Sequence, residues 1–202
     1  MPAQLPTFVT PVAFVLNSFP VKVHRIVGAV GILLVAGLLF WRFSNSGGLI
    51  DCVNAREQVS VRGQSLTGVL PDGSSAVILH SFYNCHPVIR GDLVAYQYGG
   101  DPEPVVKIVF GLSGDKISLR PVASGTWHLI MNDLVSETPA GIPYLIDEEG
   151  YRVLSLYISD YKGVIPPGAL LLLGSLADGS FDSRNFGLVS TSDLLGKVIR
   201  RY

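Results

Sequence analysis

Ile26 to Trp41, IVGAVGILLVAGLLFW, runs without a charged or strongly polar side chain, and no Asp or Glu occurs before Asp51. A segment apolar on every face does not suit the surface of a small soluble domain, and its glycine spacing fits packing in lipid. As a helix it would extend about 24 Å at about 1.5 Å per residue, slightly short of a hydrocarbon core of about 30 Å. Arg25 and Arg42 flank it and can snorkel to the headgroups, with Trp41 at the interface. We therefore expect one N-terminal transmembrane helix. The predicted layout is a cytoplasmic segment over 1–25, a transmembrane anchor over 26–43, a linker over 44–50 and an extracytoplasmic domain over 51–202. Lys22 and Arg25 before the span set that orientation by the positive-inside rule. A cleaved secretory signal ending near Ser44-Asn45-Ser46 competes with this reading, but its charged leader would be unusually long. Phe8 to Leu16 is apolar too, yet too short to span and broken by Pro11.

After the linker the chain changes character. Short β-type runs alternate with turn signals: Val59–Val61, Ala76–Phe82, Leu93–Tyr98, Val105–Phe110, Lys116–Val122, Trp127–Met131 and Leu170–Leu173. Tyr144 to Ile158 reads as mixed strand and irregular chain. Thr191 to Leu195 reads as one helical turn capped by Ser190 or Thr191. No long helical period and no internal repeat is visible, so the expected domain is mainly β, preceded by the helix at the N-terminus. The 22 glycines and 13 prolines suit such a turn-rich domain. Net charge is −1, from 15 basic and 16 acidic residues, so nucleic acid is not an expected partner. Both cysteines, Cys52 and Cys85, fall on the proposed outer side, where either a disulfide or two buried thiols is allowed.

Two polar residues stand out within this apolar frame. Lys107 interrupts the run Val105-Val106-Lys107-Ile108-Val109-Phe110. A lysine in a buried strand loses water, which disfavours its ammonium form, and a neutral amine near pH 7 is a usable general base. The ordinary alternative is an amine that snorkels to solvent. Ser65 lies in Arg62-Gly63-Gln64-Ser65-Leu66-Thr67-Gly68. Most such serines are turn residues, but with a strand lysine one can form a Ser–Lys dyad, a recognised variant of nucleophile plus base.

A third segment, Gly174 to Gly187 (GSLADGSFDSRNFG), joins these two. With it, the chain resembles the type I signal peptidases of the S26 family over most of residues 59–202. Gly63 to Leu70 looks like that family's serine box, and Arg90-Gly91-Asp92-Leu93-Val94 like its RGDIV box. Lys107 to Asp115, KIVFGLSGD, looks like the lysine box, usually KRVVGLPGD. Gly174 to Gly187 looks like the last box, usually GDNRDNSxDSRxFG. The resemblance implies an antiparallel signal-peptidase-like β fold and a membrane-anchored serine endopeptidase that acts on exported preproteins. It assigns Ser65 as nucleophile, Lys107 as general base and Ser180 as the hydroxyl that orients the lysine. It makes Asp182 and Arg184 a structural ion pair; without it they would be an ordinary surface salt bridge of at most about 1 kcal/mol. Asp92, Gly114 and Asp115 become turn and scaffold residues.

The chain departs from the pattern at several places. Leu66-Thr67-Gly68-Val69 lacks the family's proline and threonine, Ile108 replaces an arginine, and Ser175-Leu176 replaces aspartate-asparagine. Gly63 replaces a serine that some members use in the oxyanion hole. That hole would then rest on backbone N–H groups, with Ser65 the candidate donor and Gly63 the second backbone position considered. These changes suggest a divergent branch, and the Ser180 to Arg184 string has some likeness to conjugative-pilin-processing relatives. Two other classes are weighed: a self-cleaving repressor, which would carry a DNA-binding domain where this chain has an apolar span, and an inactive peptide-binding module of the same fold. No cofactor is expected. His80, His86 and His128 lack metal-ligand spacing, so no metal is expected either.

Overall fold

The computed structural model describes residues 52–99, 103–123 and 125–201. The expected N-terminal segment, transmembrane anchor and linker lie outside these residues. No helix among the described residues is long and apolar enough to cross a membrane.

The described chain is mainly β. Its strands are β1 (Ala55–Ser60), β2 (Ser75–His80), β3 (Leu93–Tyr96), β4 (Val105–Gly111), β5 (Ile117–Ala123), β6 (Thr126–Met131), β7 (Leu134–Val135), β8 (Leu145–Ile146), β9 (Ala169–Leu173), β10 (Val189–Ser190) and β11 (Leu194–Arg200). Seven of them form one sheet in the order β1-β2-β11-β3-β4-β9-β10, and β5 to β8 form a second sheet of four. The pairings in both are antiparallel.

Position in the sheet explains composition. β9 lies inside the sheet, between β4 and β10, and buries Leu170 to Leu173, so it reads as a continuous apolar run. β1 lies at an edge and exposes Arg56 and Glu57, charges that discourage pairing with a stray strand. Those charges also hid the first half of β1, which starts at Ala55 rather than Val59. One core cluster packs β2, β3, β4 and β11 against the segment carrying Leu66 and Leu70. A second joins the two sheets through Met131, Tyr144, Leu171 and Leu173.

The sequence reading missed several elements: the strands β7, β10 and β11, and a helix. Residues Glu148–Asp160 form a helix, α1, where mixed strand was expected. Its start carries the usual signals. Asp147 caps it by accepting from the Gly150 N–H at 2.8 Å, and Glu148 and Glu149 fill the first turn. Leu154 is fully buried in the second core cluster, with Ile158 packed against it. The period was obscured by Gly150, tyrosines and β-branched residues, all weak helix formers. Packing against the four-stranded sheet and the short helix α2 (Ser183–Phe186) supplies what propensity does not.

Two smaller expectations meet the structure directly. Thr191–Asp193 is a single 3-10 turn, and Ser190 caps it by accepting from the Ser192 N–H. Cys52 and Cys85 are joined as a disulfide, with Cα atoms 6.0 Å apart. Of the two states left open above, the bonded one is present.

Candidate active site

The serine loop is built by turns and anchored by leucines. The Val61 N–H donates to the Ser74 carbonyl at 2.9 Å, closing the base of the loop. Thr67 N–H donates to the Gln64 carbonyl at 2.9 Å and Leu70 N–H to the Leu66 carbonyl at 2.8 Å. Leu66 and Leu70 are buried and pin these turns to the core. Ser65, between them, is half-buried. The Gly63 N–H, one of the two groups considered for an oxyanion hole, donates instead to the Asp72 carboxylate at 2.9 Å. Gly63 adopts φ +85°, which its lack of Cβ permits. The Ser65 N–H has no partner among the described residues.

Lys107 sits in β4, opposite Val94 of β3. Its other neighbour, β9, pairs only from Ile108 onward, through Leu173. The side of β4 next to Val105–Lys107 is therefore unpaired among the described residues, and the chain leaves β9 beside the lysine. Lys107 is 4% exposed. Its Nζ lies 3.0 Å from Ser65 Oγ and donates also to the Val106 carbonyl at 3.2 Å. No carboxylate makes an ion pair with it among the described residues. Burial pushes its pKa below the ordinary lysine value; the nearby Asp182 charge opposes that shift, and the Arg184 charge adds to it.

The last segment clamps the serine loop. Ser175 N–H donates to the Ser65 carbonyl at 2.7 Å, and Ser175 Oγ donates to the Thr67 carbonyl at 2.8 Å. Gly174 makes this approach possible. A Cβ there would fall 2.2 Å from Ser180 Oγ and 2.6 Å from the Ser65 carbonyl oxygen. Tyr144, fully buried, donates its hydroxyl to the Gly174 carbonyl at 2.6 Å. Burial pushes that hydroxyl up to about 12, which keeps it a donor.

Asp182 is the hub of this segment. It is fully buried and accepts from the Gly174 N–H at 2.9 Å, from Arg184 Nε at 2.9 Å and from Arg184 Nη2 at 2.8 Å. It also caps α2 in a reciprocal capping box with Asn185. Arg184 spends its remaining donors on the Leu145, Leu176 and Ala177 carbonyls and lies over the Tyr144 ring. A surface salt bridge of negligible worth is thus excluded: both side chains are at most 6% exposed. Removing one partner would strand the other charge in a dry site.

The structure brings Ser65 and Lys107 into contact, with Gly63 lining the same groove, while Asp182 and Arg184 lie near enough for their charges to act on the amine. Ser180 is buried beside Gly174, but its Oγ makes no hydrogen bond, and none joins it to Lys107. Ser175 and Tyr144 were missed as site residues. Ser175 stood out in the sequence only as a departure from a motif, and Tyr144 carried no local signal. Asp92 and Asp115 are bound into turns and ion pairs away from the dyad, Asp92 to Lys197 and Asp115 to Arg90. Ser65 and Lys107 face a groove of about 550 Å³, walled by Val59, Val61, Ile78, Val105 and Val106.

A half-buried serine within hydrogen-bonding distance of a buried lysine that has no carboxylate partner among the described residues, on an antiparallel β scaffold, is an arrangement chemically able to supply a nucleophile and a base. Comparison with known proteins gives the family. The sequence model of "Signal peptidase, peptidase S26" matches residues 26–202. Signal peptidase I of Bacillus caldolyticus is 30% identical over 145 residues, covering 70% of this chain and 76% of that protein. Signal peptidase IB of Staphylococcus aureus (strain Mu50) is 27% identical over 150 residues, covering 71% and 75%. This chain belongs to the S26 signal peptidase family, among its type I members, and is a serine endopeptidase. A crystal structure of a signal peptidase I from Enterococcus faecalis V583 aligns with a TM-score of 0.38 at 18% identity, over 55% of this chain and 97% of that one.

Proposed function

We propose that this chain removes signal peptides from exported preproteins, with Ser65 as nucleophile and Lys107 as general base. The observation that carries this reading is the 3.0 Å separation of Lys107 Nζ and Ser65 Oγ, with the lysine 4% exposed. Burial makes the amine easier to deprotonate, so it can take the hydroxyl proton near neutral pH. Ser65 Oγ then attacks the scissile carbonyl. The carbon–nitrogen bond breaks, the lysine returns the proton to the leaving amine, and an acyl ester remains on Ser65. Water, deprotonated by Lys107, attacks that ester and restores the serine. The Ser65 N–H is the backbone donor available to the developing oxyanion. Ser180 would orient the amine by swinging its unbonded hydroxyl toward it once substrate excludes water. Asp182 and Arg184 keep the last segment folded beside it.

The substrate enters extended along the unpaired side of Val105–Lys107, where main-chain hydrogen bonds add a strand. The aliphatic walls of the groove leave room for small side chains, as in Ala-x-Ala ends. Residues 26–43 anchor the enzyme in the membrane as a single pass, with the catalytic domain on the extracytoplasmic side. The start of the family match at residue 26, the first residue of the apolar run, supports this. The disulfide agrees with an oxidising compartment.

The test is cleavage of a fluorogenic signal-peptide substrate by the full chain in detergent, beside Ser65→Ala and Lys107→Ala. We expect both variants to lose about 10³-fold or more in kcat/KM. Equal turnover by all three would remove the dyad and leave a peptide-binding module as the better reading.

A further inference from the structure

The groove does not end at the dyad. Phe181 lines it together with Ser65 and Lys107, and it is 51% exposed. Its orientation follows from its neighbours. Ser180 and Asp182 are buried on either side, and Asp182 has extended backbone, so alternation turns the side chain at 181 outward.

A single exposed phenylalanine needs no explanation. This one belongs to a cluster assembled from separate parts of the fold. Its ring meets Tyr98, just past β3, edge-on at 5.1 Å, and Phe186 of α2 at 5.5 Å. Tyr98 and Phe186 themselves lie 5.4 Å apart, and Tyr96 of β3 backs Phe186 at 5.7 Å. Phe186 is half-buried and held in the helix that Asp182 caps, while Tyr98 is 37% exposed. The exposed rings thus rest on a half-buried base of Phe186 and Tyr96, which restricts them before any ligand arrives and limits the ordering cost of binding.

We propose that Phe181 and Tyr98 form an aromatic shelf that selects a bulky apolar or aromatic side chain of the bound substrate peptide, outside the positions that must be small. This rests on the peptidase reading above. Continuity with the groove makes the peptide the occupant. A chain lying along Val105–Lys107 passes the Phe181 ring, the one aromatic side chain that lines the groove among the described residues. An aromatic side chain on such a surface gains edge or offset contacts beyond simple burial. The shelf contributes to selectivity and takes no part in the proton transfers.

The experiment walks a phenylalanine through each position on both sides of the scissile bond in an alanine-rich peptide with an Ala-x-Ala end. The ratio of kcat/KM for each Phe peptide to the parent peptide is measured for the full chain, Phe181→Ala and Phe181→Trp. At one position we expect a preference of about tenfold for Phe in the unmodified protein. It should fall below about twofold in Phe181→Ala and return in Phe181→Trp. Tyr98→Ala should give an intermediate ratio. Ratios that are the same at every position in Phe181→Ala and the unmodified protein would overturn the shelf while leaving the peptidase reading intact. So would a loss of vesicle binding in Phe181→Ala with peptide ratios unchanged, which would give the ring to the lipid surface. Failure of the unmodified protein to cut the parent peptide or any member of the set would remove the peptidase reading and the shelf with it.

Discussion

Two lysines flank one residue of the large sheet, and they have opposite surroundings. Val94 of β3 pairs with Lys107 of β4 on one side and with Lys197 of β11 on the other. Lys197 reaches a carboxylate, with its Nζ 2.5 Å from Asp92 and above the Phe82 ring. Asp92 also accepts from the Tyr83 hydroxyl at 3.0 Å. Lys107 reaches only a hydroxyl and a carbonyl. Burial alone does not make a base of a strand lysine. A buried amine with a carboxylate in contact becomes half of an ion pair. One without such a contact, but near an alcohol, is left with a proton it can give up.

The sharpest break of this comparison is a paired exchange. Lys107→Arg should lose about 10³-fold or more in kcat/KM, because a guanidinium stays protonated and cannot act as a base. Lys197→Arg should keep activity within about threefold, since either cation can meet Asp92. Similar losses in both would mean that the two lysines do not differ in kind.

The next largest effect concerns the ion pair near the amine. Arg184→Leu leaves Asp182 buried without its partner, and should cost about 3–5 kcal/mol in denaturant unfolding of the domain. Values near zero would mean that water reaches Asp182 and that the last segment is looser than its hydrogen bonds imply.

The disulfide allows a milder test. Replacing Cys52 and Cys85 together by alanine should cost about 2–4 kcal/mol, as for other disulfides, while cleavage at 25 °C persists. A comparable loss of activity in the folded variant would tie the bond to the site itself.

The smallest effect is a pH signature. Because the Lys107 pKa in the fold is lowered from 10.5, the folded chain binds fewer protons there than the unfolded chain. Stability from this group therefore rises with pH between the folded and unfolded pKa values. Lys107→Met should be more stable than the parent at low pH. The gap should be constant below the folded pKa and then narrow steadily toward pH 10.5. The pH at which narrowing begins should match the acid limb of kcat/KM. A gap that does not change with pH would argue against a desolvated amine.

Legibility in the sequence followed burial. β4 and β9 could be read because both lie inside the large sheet and are apolar throughout, save for Lys107 in β4. β1 was cut short because an edge strand carries charges, and α1 was missed because Gly150 and aromatic residues blur its period. At the site, Lys107 was visible as a polar residue in a strand where polarity needs a reason, and the order of motifs joined to it Ser65, which alone reads as a turn serine. Ser175 and Tyr144 act through backbone carbonyls of distant segments, at Thr67 and Gly174. Such contacts leave no local pattern in the sequence, because a carbonyl is present at every residue.

The bare backbone at Gly174 has a mechanical consequence. With no side chain as a spacer, the strand end carrying it and the turn carrying the nucleophile touch main chain to main chain, and Ser175 bolts them together. β9 is in turn paired to β4 at Ile108, so the turn holding the alcohol is tied through Ser175 and β9 to the strand holding the amine. Even one methyl group at this junction would force the two pieces apart.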